Sequence, residues 1–267
     1  MMFLDDLAHA ASAADGAPPF SDQALVDARA GRARVLGDDQ AAAVLRPGEV
    51  ELAVHPEHRR QGLGAALLDR VLEETTGTLA AWAHGDLPGS RVLAGRVGAE
   101  AVRTLLQQRA PVPTSPRAPR LREGDRITAF RPGVDEEAWL DLNRRAFADH
   151  PEQGGLDRSD LDARTAEDWF DADDLLLLHR GDELLASCWL KVEPGAPGEY
   201  YAVAVSPDHQ GEGLGGAVVD AGLVRLAERG LETASLYVEG DNSAALGLYA
   251  SRGFTDHAVD VQYLLRR

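Results

Sequence analysis

Two glycine-rich turns carry the clearest chemical signal in the chain: QGEGLGG over residues 210–216 and RRQGLGA over residues 59–65. Each follows an apolar strand-like segment, Val203-Ala204-Val205 in one case and Leu52-Ala53-Val54 in the other, and each opens a helical pattern. Glycines at such a point let successive backbone N–H groups turn inward, and the helix start adds partial positive charge. An anion such as a pyrophosphate can be held there without any cationic side chain. Neither turn ends in the Lys-Ser/Thr pair of a Walker loop, and the glycine spacing is not the dinucleotide fingerprint.

The two turns belong to a longer internal repeat. LAVHPEHRRQGLGAALLD from Leu52 lies without a gap over VAVSPDHQGEGLGGAVVD from Val203. AHGDLPGSRVLAGRVGAE from Ala83 then lies over VEGDNSAALGLYASRGFT from Val238, so that Gly98 falls on Gly253. Two matches in the same order make the chain a duplicated domain. The proline-rich stretch Gln107 to Asp125 suits a linker or the end of a last strand. The boundary is placed near Pro116, giving domains 1–115 and 116–267.

The elements that position the turns follow from hydrophobic periodicity. In the second copy, strands are expected at 127–130, 175–179, 184–192, 199–205, 233–238 and 258–265. Helices are expected at 136–147, 161–170, 214–229 and 243–252. Tight turns early and helices late imply an α/β arrangement, an α+β mixed sheet covered by helices. The first copy keeps the same order but is abbreviated before Arg34, and the extreme N-terminus reads as an amphipathic helix.

Composition narrows the function. The chain has 267 residues and a net charge of −17, which argues against nucleic acid as a main partner. No apolar run reaches the roughly 20 residues of a membrane span. A lone cysteine, Cys188, excludes an internal disulfide framework and fits a reducing cytoplasm. Lys191 is the only lysine in the chain.

The pattern Gln/Arg-x-x-Gly-x-Gly after the apolar strand, met by Gln210/Gly213/Gly215 and by Arg59/Gly62/Gly64, resembles motif A of the GNAT acetyltransferases. The segment LYVEGDN, residues 236–242, with the helix bearing Tyr249 and the Gly253-Phe254 turn, is similar to motif B. The resemblance implies two tandem GNAT-type domains that use acetyl-CoA as donor and no metal. It places the CoA pyrophosphate on Gln210, Gly211, Glu212, Gly213, Leu214, Gly215 and Gly216, and the pantetheine arm along Val203, Ala204 and Val205. It adds CoA contacts from Asn242, Ser243, Ala244, Ala245, Leu246 and Gly247, and makes Tyr249 the acid that protonates the departing thiolate. The matching first-copy positions are Leu52, Ala53, Val54, Arg59, Arg60, Gln61, Gly62, Leu63 and Gly64. There Leu87 and Ala94 stand where the second copy has Asn242 and Tyr249, so catalysis in the first copy is not expected.

Further segments, HPEQGG from His150, DWF from Asp168, WLKV from Trp189 and GEYY from Gly198, resemble the tandem-GNAT mycothiol synthase family. That family acetylates the cysteinyl amine of cysteinyl-glucosaminyl-inositol, a small-molecule amine acceptor. The resemblance implies acceptor contacts from Glu152, Lys191, Glu199 and Tyr237, with a looser match at Asp22. Attack on a thioester needs a neutral amine, so a carboxylate must accept a proton, directly or through one water. Glu199 is the base candidate. Lys191 is suited to donating hydrogen bonds to sugar or inositol hydroxyls.

Three side chains are set aside. Cys188 lies in the apolar run LLASCWL and reads as a core residue, and His58 and His209 lack the spaced companions of a metal site. One departure stands out: Glu212 occupies a loop position where the family usually has arginine, and a carboxylate opposes pyrophosphate binding unless it points away. Two other readings remain open: a tandem GNAT enzyme for another amine, and a non-catalytic acyl-CoA-binding module. A monomeric cytoplasmic protein is expected throughout.

Overall fold

The computed structural model describes residues 2–148 and 154–266. The chain divides into two compact units. The first comprises Met1–Gln107, Val238–Asn242 and Asp256–Arg267, and the second comprises Gln108–Tyr237 and Ser243–Thr255.

In the first unit, helices α1 (Met2–Asp15) and α2 (Asp22–Arg29) precede strands β1 (Arg34–Gly37), β2 (Ala41–Arg46) and β3 (Glu49–Val54). Helix α3 (Leu63–Glu74), strand β4 (Thr78–Ala83), helix α4 (Pro88–Arg96) and strand β5 (Glu100–Pro111) follow. Helix α2 starts where Ser21 accepts the Ala24 N–H at 3.2 Å, which satisfies one of the donors left open at a helix start. Strand β2 is buried along nearly its whole length because both faces are covered. Ala42 and Val44 pack with Leu4, Leu7 and Phe20, whereas Ala41, Ala43 and Leu45 pack with Leu67, Leu68 and Val71 of α3.

In the second unit, β6 (Asp125–Ala129) leads to helices α5 (Glu136–Ala146) and α6 (Arg158–Thr165). Strands β7 (Leu175–Arg180), β8 (Glu183–Lys191) and β9 (Gly198–Val205) then form an antiparallel meander with β6. Helix α7 (Leu214–Glu228), strand β10 (Thr233–Glu239) and helix α8 (Ser243–Ala250) complete the order, before strand β11 (Thr255–Arg266). Trp139 and Leu142 of α5 and Leu161 of α6 bury against Leu175, Leu177 and Trp189.

Helix α6 departs from the expected 161–170. It starts earlier, because Asp157 and Asp160 form a reciprocal capping box, and it ends at Thr165. Trp169 and Phe170 leave the helix and pack on Trp189, each with ring centroids 5.8 Å from it. Burying three large aromatic surfaces outweighs one further turn of helix.

The path of the last strand has no sequence signal. From Val261 to Arg266, β11 runs antiparallel to β4, pairing Val261 with Ala83 and Arg266 with Thr78. Leu265 therefore joins the first unit's core. The end of the chain completes the sheet of the first copy.

Candidate active site

Both copies open the same gap between parallel strands. In the second unit β9 pairs with β10 at Gly198↔Ala234, Glu199↔Ser235 and Tyr200↔Leu236, and the register stops there. In the first unit β3 pairs with β4 from Glu49↔Ala80 to Glu51↔Trp82 and likewise stops. Beyond those points, among the described residues, no strand stands in register with 201–205 or 52–54 on that side, and the Val54 carbonyl accepts from Arg59 Nε instead. Unpaired ladder groups favour a ligand that carries amides of its own.

The glycine turn sits at the open end of each gap. Gly213, at φ 87°, precedes α7 without a side-chain cap, and Gly62, at φ 85°, does the same for α3. Only glycine takes this left-handed geometry without steric cost. The first-turn N–H groups of both helices are thus available to an anion. Gly215 and Gly64 serve packing: a methyl group on Gly215 would lie 3.3 Å from Leu248 and 3.5 Å from Val205, and one on Gly64 3.3 Å from both Leu93 and Val54. Strand, turn and the later helix are locked together in the same way twice.

Glu212 is half-buried and paired. It accepts hydrogen bonds from Arg122 Nη1 at 2.6 Å and Arg180 Nη1 at 2.9 Å, and its other oxygen lies 3.0 Å from His209 Nδ1. The hydrogen bond from Arg180, then His209, holds its carboxyl below the usual glutamate range. Arg180 is itself fixed by Asp125 at 2.8 Å. Two arginines that no local motif announces therefore neutralise the carboxylate beside the loop. Arg180→Met is expected to weaken acetyl-CoA binding about fivefold at low ionic strength and less in high salt. Titration calorimetry of the two proteins reads this directly, and an unchanged affinity would remove Arg180 from the site.

Tyr249 lies on α8 and is buried, its ring 5.7 Å from Phe254. Phe254 in turn meets Tyr200, whose hydroxyl donates to the Val219 carbonyl at 2.8 Å. Burial holds the Tyr249 hydroxyl above the usual tyrosine range, so the group stays protonated and able to donate. Ser243, Ala244 and Gly247 of the same helix are exposed, and Ala245 and Leu246 half-buried.

At the paired end of the gap, Glu199 and Lys191 are direct cross-strand neighbours on β9 and β8. Burial raises the Glu199 carboxyl above its ordinary range, opposed by the charge of Lys191. Lys191 Nζ is 2.9 Å from Glu193 and sits 5.5 Å from the Trp169 ring centroid. Between Trp189↔Ala202 and Leu190↔Tyr200 the register slips, leaving Tyr201 as the extra residue of a β-bulge. Tyr201 accepts a hydrogen bond from Arg164 Nε at 3.0 Å and meets the Trp169 ring at a tilt of 51°, with centroids 5.2 Å apart. Trp169 and Tyr201, which lie in the DWF and GEYY segments, are thus brought together with Arg164, which no sequence motif singles out. Trp169 and Tyr201 both pack on Trp189.

The remaining sequence candidates are distributed as follows. Tyr237 is exposed on β10, next to Leu236, which pairs with Tyr200. Asn242 belongs to the first unit and donates its backbone N–H to the Glu239 carbonyl at 3.0 Å. Asp22 is an exposed first-turn residue of α2 in the first unit. Glu152 lies outside the described residues. Cys188 is fully buried, and its thiol is pushed up by that burial, as suits a core position.

In the first unit the loop arginine takes another arrangement. Arg59 forms a two-pronged pair with Asp15, both contacts 2.7 Å, and donates from Nε to the Val54 carbonyl at 3.1 Å. Arg60, aligned with Gly211, holds a left-handed backbone at φ 62°.

Comparison with known proteins places this geometry. The Acetyltransferase (GNAT) family model matches residues 137–254, and an Acetyltransferase (GNAT) domain model matches residues 21–93. Mycothiol acetyltransferase of Kocuria rhizophila is 46% identical over 282 residues, covering 96% of this chain and 93% of the relative. That of Thermomonospora curvata is 47% identical over 270 residues, covering 96% and 91%. Among solved structures, a GCN5-related N-acetyltransferase from Sphaerobacter thermophilus superposes with a TM-score of 0.72 at 22% identity, covering 99% of this chain and 92% of that one. A tandem GNAT protein from the clavulanic acid biosynthesis pathway gives 0.69 at 18% identity, covering 99% and 94%. With a GNAT match in each half and high identity along nearly its whole length, the chain belongs to the mycothiol acetyltransferase family of GNAT acetyltransferases.

Proposed function

We propose that the second unit transfers the acetyl group of acetyl-CoA to the cysteinyl amine of cysteinyl-glucosaminyl-inositol, the last step of mycothiol biosynthesis. The observation that carries this reading is the cross-strand pair of Lys191 and Glu199 beside the strand gap. It sets a carboxylate of raised basicity and a hydrogen-bond donor side by side where an acceptor meets a donor lying along β9.

Glu199 accepts a proton from the ammonium form of the acceptor, directly or through a water, and frees the nitrogen lone pair. The amine attacks the thioester carbonyl carbon, forming the C–N bond. The C–S bond then breaks, the departing thiolate takes the proton of Tyr249, and the second proton that the nitrogen sheds on becoming an amide returns Tyr249 to its phenol form, directly or through water. Val203, Ala204 and Val205 hold the pantetheine arm through the free side of β9, and the loop 210–216 holds the pyrophosphate. Residues 243–247 complete the donor site, while Lys191, Tyr237 and Glu152 bind the acceptor.

In the first unit, Leu52, Ala53, Val54 and the loop from Arg59 to Gly64 hold a second CoA without turnover, because Ala94 supplies no acid. The repeat boundary lies near Pro116. The chain works as a cytoplasmic monomer on a small amine, with neither nucleic acid nor membrane as partner. Its net charge of −17 and single buried cysteine support that setting.

The test is CoA release from acetyl-CoA across a panel containing the cysteinyl pseudodisaccharide, aminoglycosides, polyamines and peptide N-termini. Selective turnover of the pseudodisaccharide is expected, and selective turnover of another amine would overturn the acceptor. In the same assay Lys191→Met should raise KM for the pseudodisaccharide about tenfold, the loss of one or two hydrogen bonds from a charged donor. KM for acetyl-CoA should stay unchanged, and an equal rise in both would show a merely structural role.

A further inference from the structure

The first unit encloses a cavity of about 560 Å3, within the range of small-molecule sites. It starts at Arg59 and Gly62 on the phosphate loop and continues past Leu93 to Leu68 and Leu265 in the core. Ala94 and Ala99 line it. The aligned residues of the second unit are Tyr249 and Phe254, both buried and in ring contact at 5.7 Å. Two alanines thus leave open in one copy the kind of space that two aromatic rings fill in the other. The opening falls where the second copy carries its acid, which is the end of the ligand bearing sulfur and acyl group.

The acceptor side of the first unit is closed by its own chain. Glu51 is buried and accepts from the Ser21 N–H at 2.6 Å and the Ser21 hydroxyl at 2.7 Å. His84 Nδ1 lies 3.0 Å from Asp260, with Nε2 3.7 Å from Glu51. Burial disfavours the His84 charge, but the hydrogen bond to Asp260 and the negative charges of Asp260 and Glu51 prevail and push its pKa up to about 9. The imidazolium between two carboxylates is therefore a fixed charged plug at neutral pH.

We propose that the first unit is a binding site for acyl-CoA thioesters with an apolar acyl group longer than acetyl, which it holds without transferring. The inference rests on the reading of the first unit as a CoA-binding copy. The phosphate loop takes the diphosphate, the free side of β3 takes the pantetheine arm, and the chain beyond the sulfur enters the space beside Ala94 and Ala99. Because Tyr249 and Phe254 fill that space in the second unit, the catalytic copy shows no such preference.

The test is titration calorimetry of the full chain with CoA, acetyl-CoA, butanoyl-CoA and hexanoyl-CoA. Two sites per chain are expected, one of which tightens about fourfold for each added methylene, as burial of a methylene group implies. Ala94→Phe, and separately Ala99→Leu, should abolish the chain-length gain while CoA itself still binds twice, with thermal melts checking that both variants fold. Two CoA sites without a chain-length effect, or a gain that survives both substitutions, would overturn the inference alone. A single CoA per chain would overturn the reading of the first unit as well.

Discussion

Replacing Tyr249 by phenylalanine is expected to lower kcat by about 10²-fold or more while acetyl-CoA binds as before, since general-acid catalysis contributes on that scale. The ring stays in its packing with Phe254, so folding and the donor site are preserved and only the proton is lost. The wild-type rate carries a matching pH signature. Burial holds the Tyr249 hydroxyl above its usual range, so its acid form persists past the ordinary tyrosine value of about 10. No loss of kcat from this group is therefore expected below about pH 10. Wild-type kcat in the Tyr249→Phe variant would remove Tyr249 from the chemistry, and a basic limb well below that pH that vanishes with the substitution would contradict its raised hydroxyl.

Glu199→Gln is the second large effect, again about 10²-fold or more in kcat/KM. The glutamine keeps the shape of the side chain but cannot accept the proton. The base form is the carboxylate, and burial raises its folded pKa, so activity should fall as pH drops through a value above the usual glutamate figure of about 4.3. Lys191 opposes that rise. Lys191→Met should therefore move the acid limb to still higher pH, and Glu199→Gln should abolish it. An acid limb that stays put in both variants would assign the base to another group.

The repeat and most of its elements were legible in the sequence because each rests on local signals. The glycine turns, the apolar periodicity of 214–229 and the alternating strands need only neighbours to be read, and the structure places them within a few residues. Helix α6 departs from its hydrophobic periodicity at both ends, since its start depends on the Asp157–Asp160 box and its end on the distant Trp189 ring. The pairing of β11 with β4 joins residues far apart in the chain and leaves no pattern in either strand.

The site divides in the same way. The glycine turns stand on motifs, whereas the groups around them stand on tertiary contacts. Glu212 read alone is an unfavourable charge, but Arg122 and Arg180, 90 and 32 residues distant, balance it. Likewise Arg164 and Trp169 come to Tyr201 and Lys191 only through folding. The raised carboxyl of Glu199 is a property of burial, which residue type and spacing do not encode.

Confinement of acetyl transfer to the second copy is tested most directly by the double variant Glu199→Gln/Tyr249→Phe. CoA release from acetyl-CoA with cysteinyl-glucosaminyl-inositol should fall to the rate without enzyme, while calorimetry still finds acetyl-CoA bound. Residual turnover at about a tenth of the wild-type rate or more would contradict that confinement, because loss of both proton-transfer groups should cost at least the ~10²-fold of either one. The chemistry would then have to lie elsewhere in the chain.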